Sequence, residues 1–544
     1  MTVPEFADRI FLRGSILTMA DGDRVEAVAI GGGRILAAGT ERDVLEMRGP
    51  GTVVTELGES ALLPGFIDGH GHLAKVAANL GQANLAGPPV GGVTDIESLL
   101  SELRRFAAER EKQPGEWIVG RGYDNAFLKE GRHPTRTDLD QVSQDHPIYV
   151  GHVSGHLSAA NSLALAIAGV SADTDDPPGG VIRRLAGSRE PDGVLEEAAM
   201  GFFNAIIPQP DAAAEHAQLA EAQRIYASFG LTTAQEGAMF PAEQAMFENA
   251  ARDGRLYLDV VGYAFWATAR PMLADRRTGV YDRRFKLGGM KLMLDGSPQG
   301  KTAWLTRPYE VVPEGQPPDY CGYPAMPDEQ ALGLTETAFR EGWQVIAHCN
   351  GDAAAEQYLR AIDAAAEAHP KLDRRPVMIH AQTVREDQLD RMVGLGILPS
   401  FFASHVFYWG DYHRDSVLGA ERASRISPMR SAARRGMRFN LHNDAPVVPP
   451  DVMRLVWSAV ERKTRSGQVL GGDQALTVME ALRAVTIDAA YAYFEEDQKG
   501  SIEVGKLADL IVLEADPTRV APSELAGIRV RETLKEGTTI FGRG

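Results

Sequence analysis

The chain has 544 residues, 44% of them hydrophobic, and a formal net charge of -18 from 56 basic and 74 acidic side chains. That length exceeds what one compact core needs, and the acidic balance excludes nucleic acid and an anionic membrane surface as main partners. Two cysteines, Cys321 and Cys349, with no C-x-x-C spacing, exclude a disulfide framework and point to a reducing compartment, the cytoplasm. The first residues, with Asp8, Arg9 and Arg13 among short apolar pairs, offer no signal-peptide core. No apolar run is long enough to span a bilayer, so a membrane is not expected as a partner.

In chain order, residues 10–19 read as one strand pair, and residues 27–30 and 34–38 as a hairpin around a glycine turn. Residues 505–513 and 528–534 return to the same style. Two β-rich ends imply that residues 1–63 and 495–544 pair into one small β-sandwich domain. Residues 64–494 alternate apolar strands with amphipathic helices, the pattern of an α/β chain folded as a (β/α)8 TIM-like barrel. This stretch is too long for a minimal barrel of about 250 residues. An insertion is therefore expected at about 86–211, holding a helix around Ile96–Glu109 and a Gly- and Pro-rich loop at 175–180.

The most informative stretch is Asp68-Gly69-His70-Gly71-His72, which follows an apolar strand at 60–67. In H-x-H on a strand both imidazoles point the same way, because side chains alternate with period two. Two converging imidazoles make half of a divalent-metal site. Four later apolar stretches each carry a metal-competent residue: Lys291 inside 285–294, His348 ending 344–348, His380 ending 376–380, and Asp444 ending 438–444. Catalytic residues of such barrels sit at strand C-terminal ends, so these side chains would meet at one mouth. A single histidine at a strand end is more often structural; the ordered set His-x-His, Lys, His, His, Asp argues for function.

With these residues the chain resembles the amidohydrolase superfamily, and specifically the amidohydrolase-3 branch that contains N-substituted formamide deformylase. The likeness runs over nearly the whole chain. It includes residues 115–124, 135–140, Gly155-His156, 161–165, Asp295-Gly296-Ser297, Thr302-Ala303 and 505–510. Gly69 departs from it, since a serine or other small polar residue often precedes the first histidine. The resemblance implies that His70, His72 and Asp444 hold a more buried metal and His348 and His380 a more exposed one. It implies that Lys291 bridges them as an N-carboxylated lysine; the alternative is an ordinary lysine beside a one-metal site. A carbamate is an anionic oxygen ligand, whereas an ammonium would repel a dication. Zinc is the expected ion, one or two per chain, with manganese, iron or cobalt as alternatives.

The reaction so implied is metal-dependent hydrolysis of a non-peptide C–N bond, in an N-substituted formamide or similar small molecule. Asp444 would be the general base and would pass its proton to the leaving nitrogen; His156 would polarise the carbonyl, or be a structural loop histidine. Trp304 and Phe402 are candidates for an apolar substrate wall, with core packing as the alternative. Asp124 and Asp295 are candidates for orienting ligands or substrate. Arg121 and Arg307 would recognise an anionic group or make surface salt bridges. Rival functions are a cyclic amide, lactone or carbamate hydrolase, a deaminase of the same superfamily, and a non-catalytic relative. Against the deaminase, His348 lacks the H-x-x-E acid, the nearest acid being Asp352. A homodimer is the family expectation.

Overall fold

The computed structural model describes residues 6–543 except 21, 23, 126, 154, 156, 178, 179, 205, 209, 275, 314, 371 and 372, and omits the side chains of 197 and 204. The chain divides into two units: residues 1–73, 223–445 and 450–544, and residues 74–222 with 446–449.

The first unit is built on a curled sheet of eight parallel strands, the α/β barrel-type fold. In chain order these are β1 (Phe66–Ile67), β2 (Leu231–Met239), β3 (Asp259–Phe265), β4 (Phe285–Met293), β5 (Gln344–Cys349), β6 (Val377–His380), β7 (Leu398–Phe401) and β8 (Asn440–Leu441). Each pairs in parallel with the next. Strands covered on both faces need continuous apolar sequence, and all nine residues of β2 and all four of β6 are buried. Helices return the chain between strands. Helix Asp352–Ala368 after β5 buries Ala355, Tyr358, Leu359 and Ile362, a stripe at helical spacing. The two edge strands meet past their C-terminal ends, where His72 N donates to Ala445 O at 2.8 Å and Asp444 N to His70 O at 3.2 Å.

At the opposite, N-terminal ends of the strands, Lys499 donates to the Asp259 carboxylate and Lys286 to that of Glu495, while Lys535 Nζ lies 2.9 Å from Asp509 Oδ2. These buried charges are paired on all sides, which the cost of desolvating a lone ion demands. They tie the start of the barrel to the C-terminal strands.

The chain ends form two sheets. One, built by the N-terminal end alone, orders Arg34–Gly39, Ala27–Gly31, Arg9–Leu12 and Val53–Glu56. The other orders Ser15–Ile16, Ala61–Pro64, Leu510–Leu513, Val530–Lys535 and Thr538–Gly542. One apolar cluster draws Phe11, Val28, Leu62, Leu510 and Leu534 from both. The strand pair expected at 10–19 does not form. Arg13 has φ 55, and a Cβ on Gly14 would lie 2.3 Å from Leu57 Cβ, so the chain turns there between the two sheets. Arg9–Leu12 pairs instead with Ala27–Gly31, and Ser15–Ile16 with Ala61–Pro64. The hairpin of Ala27–Gly31 with Arg34–Gly39 is present.

The second unit carries a mixed six-stranded sheet in the order Gly180–Arg184, Pro191–Glu197, Leu157–Ala160, Ile148–His152, Ile118–Tyr123 and Ala83–Asn84. Helix Ile96–Glu109 lays Ile96, Leu99, Leu100, Leu103 and Phe106 on it. That helix opens with a capping box in which Asp95 accepts from Ser98 N at 2.8 Å. Among the described residues no helix is long and apolar enough to cross a membrane.

Candidate metal centre

The loop after β1 delivers His70 and His72, and β4, β5, β6 and the turn after β8 deliver Lys291, His348, His380 and Asp444. Strand register sets their heights: Met293 pairs with His348, and Cys349 with His380. His70, Lys291 and His380 are at most 3% exposed.

Each of the four imidazoles is anchored through Nδ1. His70 Nδ1 donates to Gln235 Oε1 at 2.5 Å, and Gln235 Nε2 donates to Tyr493 Oη at 2.6 Å, which donates in turn to Asp68 O at 2.6 Å. His72 Nδ1 donates to Glu236 Oε1 at 3.2 Å, and His348 Nδ1 to Asp295 Oδ1 at 3.0 Å. His380 Nδ1 lies 3.1 Å from His442 Nε2, and His442 Nδ1 lies 2.8 Å from Ser400 Oγ. Donation outward along that chain assigns the proton of His380 to Nδ1 as well. In all four rings Nε2 then keeps its lone pair, the tautomer a metal ligand requires.

Three of these lone pairs converge on one carboxylate. Asp444 Oδ1 lies 3.3 Å from His72 Nε2 and 3.6 Å from His70 Nε2, and Asp444 Oδ2 lies 3.9 Å from His380 Nε2. Lys291 Nζ lies 3.2 Å from His70 Nε2. The rings of His348 and His380 sit 4.5 Å apart between centroids. Ligand atoms of His70, His72 and Asp444 all fall within 4.8 Å of one another. Asp444 Oδ1 is buried and has no hydrogen-bond partner among the described residues. A buried carboxylate oxygen left open among imidazole lone pairs is costly without a cation, so the donor set fits a divalent ion.

Burial, reinforced by Lys291 at His70 and by His348 at His380, holds both imidazoles well below their usual pKa, so they stand neutral as ligands must. Burial pushes the Asp444 carboxyl up, but the neighbouring His72, His442 and Lys291 outweigh it, and the acid is held below its ordinary value. The backbone is strained at the same place. His380 has φ 71 and Asp444 φ 53, left-handed conformations that non-glycine residues adopt at a cost and that concentrate at functional sites. Packing is tight enough that a Cβ on Gly237 would lie 2.2 Å from His70 Cε1.

Residues 54–541 match the amidohydrolase family. The chain belongs to that family. It is therefore a hydrolase of carbon–nitrogen bonds, within a family of metal-dependent enzymes. It is 28% identical to the N-substituted formamide deformylase of Arthrobacter pascens, over 99% of both chains. An uncharacterised metal-dependent hydrolase of Pyrococcus furiosus is 25% identical with a TM-score of 0.72, covering 94% of this chain and 100% of its own. Another, from Pyrococcus horikoshii OT3, shares the fold at 24% identity and a TM-score of 0.74, over 95% of this chain and 99% of that one.

This amidohydrolase brings six of the residues singled out from its sequence into one cluster: His70, His72, Lys291, His348, His380 and Asp444. Asp295, 1% exposed, stands behind them; besides His348 it accepts from Asn350 N at 3.0 Å, Gly351 N at 2.7 Å and Trp304 N at 3.1 Å. Trp304 is tied in through its backbone, while the buried Phe402 ring lies 6.1 Å from that of His380 and 5.2 Å from that of His442. Asp124 belongs to the second unit, with Oδ1 3.7 Å from His152 Nε2. Arg121, in the same unit, donates to Asn79 Oδ1. His156 lies outside the described residues.

Sequence reasoning passed over His442, Gln235, Glu236 and Tyr493. For His442 a signal existed: His442-Asn443-Asp444 repeats the one-residue spacing of His70 and His72. The departure at Gly69 has a steric counterpart, because a Cβ there would lie 2.5 Å from both Asn440 Oδ1 and Leu441 O.

Proposed function

We propose that this amidohydrolase cleaves the C–N bond of a non-peptide amide, an N-substituted formamide or a close analogue, at the cluster around Asp444. One observation carries this reading: of four imidazoles fixed through Nδ1, three turn their Nε2 lone pairs toward Asp444, whose Oδ1 is otherwise unsatisfied among the described residues, and the fourth, His348, lies beside His380. His70, His72 and Asp444 would hold one ion, and His348 and His380 a second, with zinc suited to the nitrogen and oxygen donors. When bound, such ions acidify water and polarise a carbonyl. Lys291 would serve as an N-carboxylated ligand shared by the ions; as a carbamate its buried terminus beside His70 Nε2 would offer oxygen donors in place of a positive charge.

The chain's own residues then have separable tasks. Asp444 Oδ1 takes the proton of the attacking water and returns it to the leaving nitrogen. Asp295, Gln235, Glu236 and His442 keep the imidazoles in one tautomer and one orientation, so no reorganisation is needed as charge develops on the carbonyl oxygen. His156 is proposed to assist that oxygen. Phe402, packed beside His380, with Trp304 supplies an apolar boundary suited to a small acyl group, and Asp124 is proposed to contact the amine portion. The 28% identity to a formamide deformylase across the full chain supports the acyl assignment. The shared apolar cluster of the two terminal sheets supports reading residues 1–63 and 495–544 as one β-sandwich domain around a barrel of 64–494 with an insertion at about 86–211. The scarcity of cysteine supports a cytoplasmic setting.

The test is amine release by the zinc-loaded protein from N-substituted formamides, the matching acetamides and cyclic amides. Turnover of the formamides is expected to exceed that of the acetamides. Turnover of cyclic amides alone, or of none of these with metal bound, would overturn the substrate assignment.

A further inference from the structure

On the same face of the barrel as the metal cluster, loops after β4, β5, β6 and β7 enclose a cavity of about 400 Å³. None of the candidate metal ligands lines it. Leu305, Val384 and Leu418 give it an apolar wall, and four arginines face three carboxylates across it. That is a positive balance in a chain whose net charge is -18.

Two of the arginines are neutralised within the protein. Arg385 pairs with Asp352 at 3.2 Å and Asp387 at 2.9 Å, and Arg425 pairs with Glu386 and Asp473. The other two are not. Among the described residues Arg422 makes no ion pair and donates to main-chain carbonyls, those of Leu418 at 2.6 Å, Arg307 at 3.2 Å and Pro308 at 2.7 Å. These bonds hold its guanidinium in place and use three of its five N–H groups. Arg307, exposed at the same cavity, makes no ion pair among the described residues. Glu421, the third carboxylate, is exposed and likewise makes none. Glu310 and Asp352 act on Arg422 only from beyond ion-pair distance, so among the described residues neither guanidinium has a carboxylate at bonding range. A fixed guanidinium fork matches a carboxylate, and the adjoining apolar wall suits a hydrocarbon body.

We propose that this cavity binds a small apolar monocarboxylate, gripped by Arg307 and Arg422, at a site of its own beside the metal cluster. Its wall connects to the cluster through few bonds. Thr306 N donates to Asp352 Oδ1 at 2.9 Å, and two residues earlier Trp304 N donates to Asp295 Oδ2 at 3.1 Å, the carboxylate that orients His348. Ligand binding at Arg307 therefore bears on the loop that sets one imidazole.

The test is calorimetric titration of the metal-loaded full chain with phenylacetate and hexanoate, with phenylacetamide and inorganic phosphate as controls. The wild type is compared with Arg307→Gln and Glu421→Gln, both exposed positions. The acids should bind, phenylacetamide about tenfold or more weakly, Arg307→Gln should lose about tenfold in acid affinity, and Glu421→Gln should gain. Unchanged acid affinity in Arg307→Gln would place the carboxylate on the metal instead and overturn the proposal. Equal binding of acid and amide, or phosphate outcompeting the acids, would overturn it as well.

Discussion

Asp295→Asn is the most incisive perturbation of the cluster, because the side chain keeps its shape and loses one acceptor. Asp295 Oδ1 accepts from His348 Nδ1 and Asn350 N, and Oδ2 from Trp304 N and Gly351 N. An amide nitrogen must replace one oxygen, so whichever way it turns it faces two N–H donors at a site 1% exposed to solvent. Two buried donors without an acceptor cost about 1–3 kcal/mol each. If the new NH2 faces His348, the ring can recover one bond by moving its proton to Nε2, which limits the loss to about 1–3 kcal/mol, that of Asn350 N alone. That escape removes the lone pair a metal needs. Loss of such a supporting acceptor lowers metal affinity by about 10–100-fold. Urea unfolding gives the stability change, and competition with a chromophoric chelator gives zinc affinity. A folded Asp295→Asn protein with wild-type zinc affinity and stoichiometry would refute the tautomer reasoning and the place of His348 in the site.

Three further outcomes follow from the geometry. Asp444→Asn should retain most of its metal, measured by elemental analysis, and lose most amine release; an active variant would show that another group handles the proton. Lys291→Ala should fall toward one metal per chain, and unchanged stoichiometry would mean that no carbamate bridge exists. Asp488, half-buried in the first turn of helix Ile487–Ala492, has its carboxyl pushed up from 3.8 to about 6 by burial, which the charges of Arg483 and Arg438 only partly offset. Its folded pKa lies above the unfolded one, so ionisation costs stability as pH rises from about 4 to about 6, and the cost persists above that. Asp488→Asn should therefore raise stability over wild type at pH 7.5 by about 1–2 kcal/mol and by much less at pH 4. An equal difference at the two pH values would contradict this.

The barrel and its metal-competent residues were legible because period-two alternation and strand-end placement are local properties. His70 and His72 need only a strand before them, and Lys291, His348 and His380 only apolar runs of the right length. Of the supports, Asp295 was legible beside its strand, but Gln235 and Tyr493 were not, since they meet across 258 residues and nothing near either position marks it as a ligand's partner. Their pairing is a product of closure of the sheet. The terminal sheets show the same limit. Residues 10–19 alternate as one strand pair would, but close packing of Gly14 against Leu57 splits them between two sheets, and that contact is long-range. Arg307 stood out in sequence as an anion-binding candidate, but its company with Arg422 did not, because 115 residues separate the two and only the fold brings them to one cavity.

The central claim is that the four Nε2 atoms and Asp444 bind metal. Anomalous scattering at the zinc edge from crystals of the zinc-loaded protein addresses it directly. The account predicts strong peaks within bonding distance of Nε2 of His70 and His72 and of Asp444, and of Nε2 of His348 and His380. Ordered zinc elsewhere with none among these atoms would contradict it.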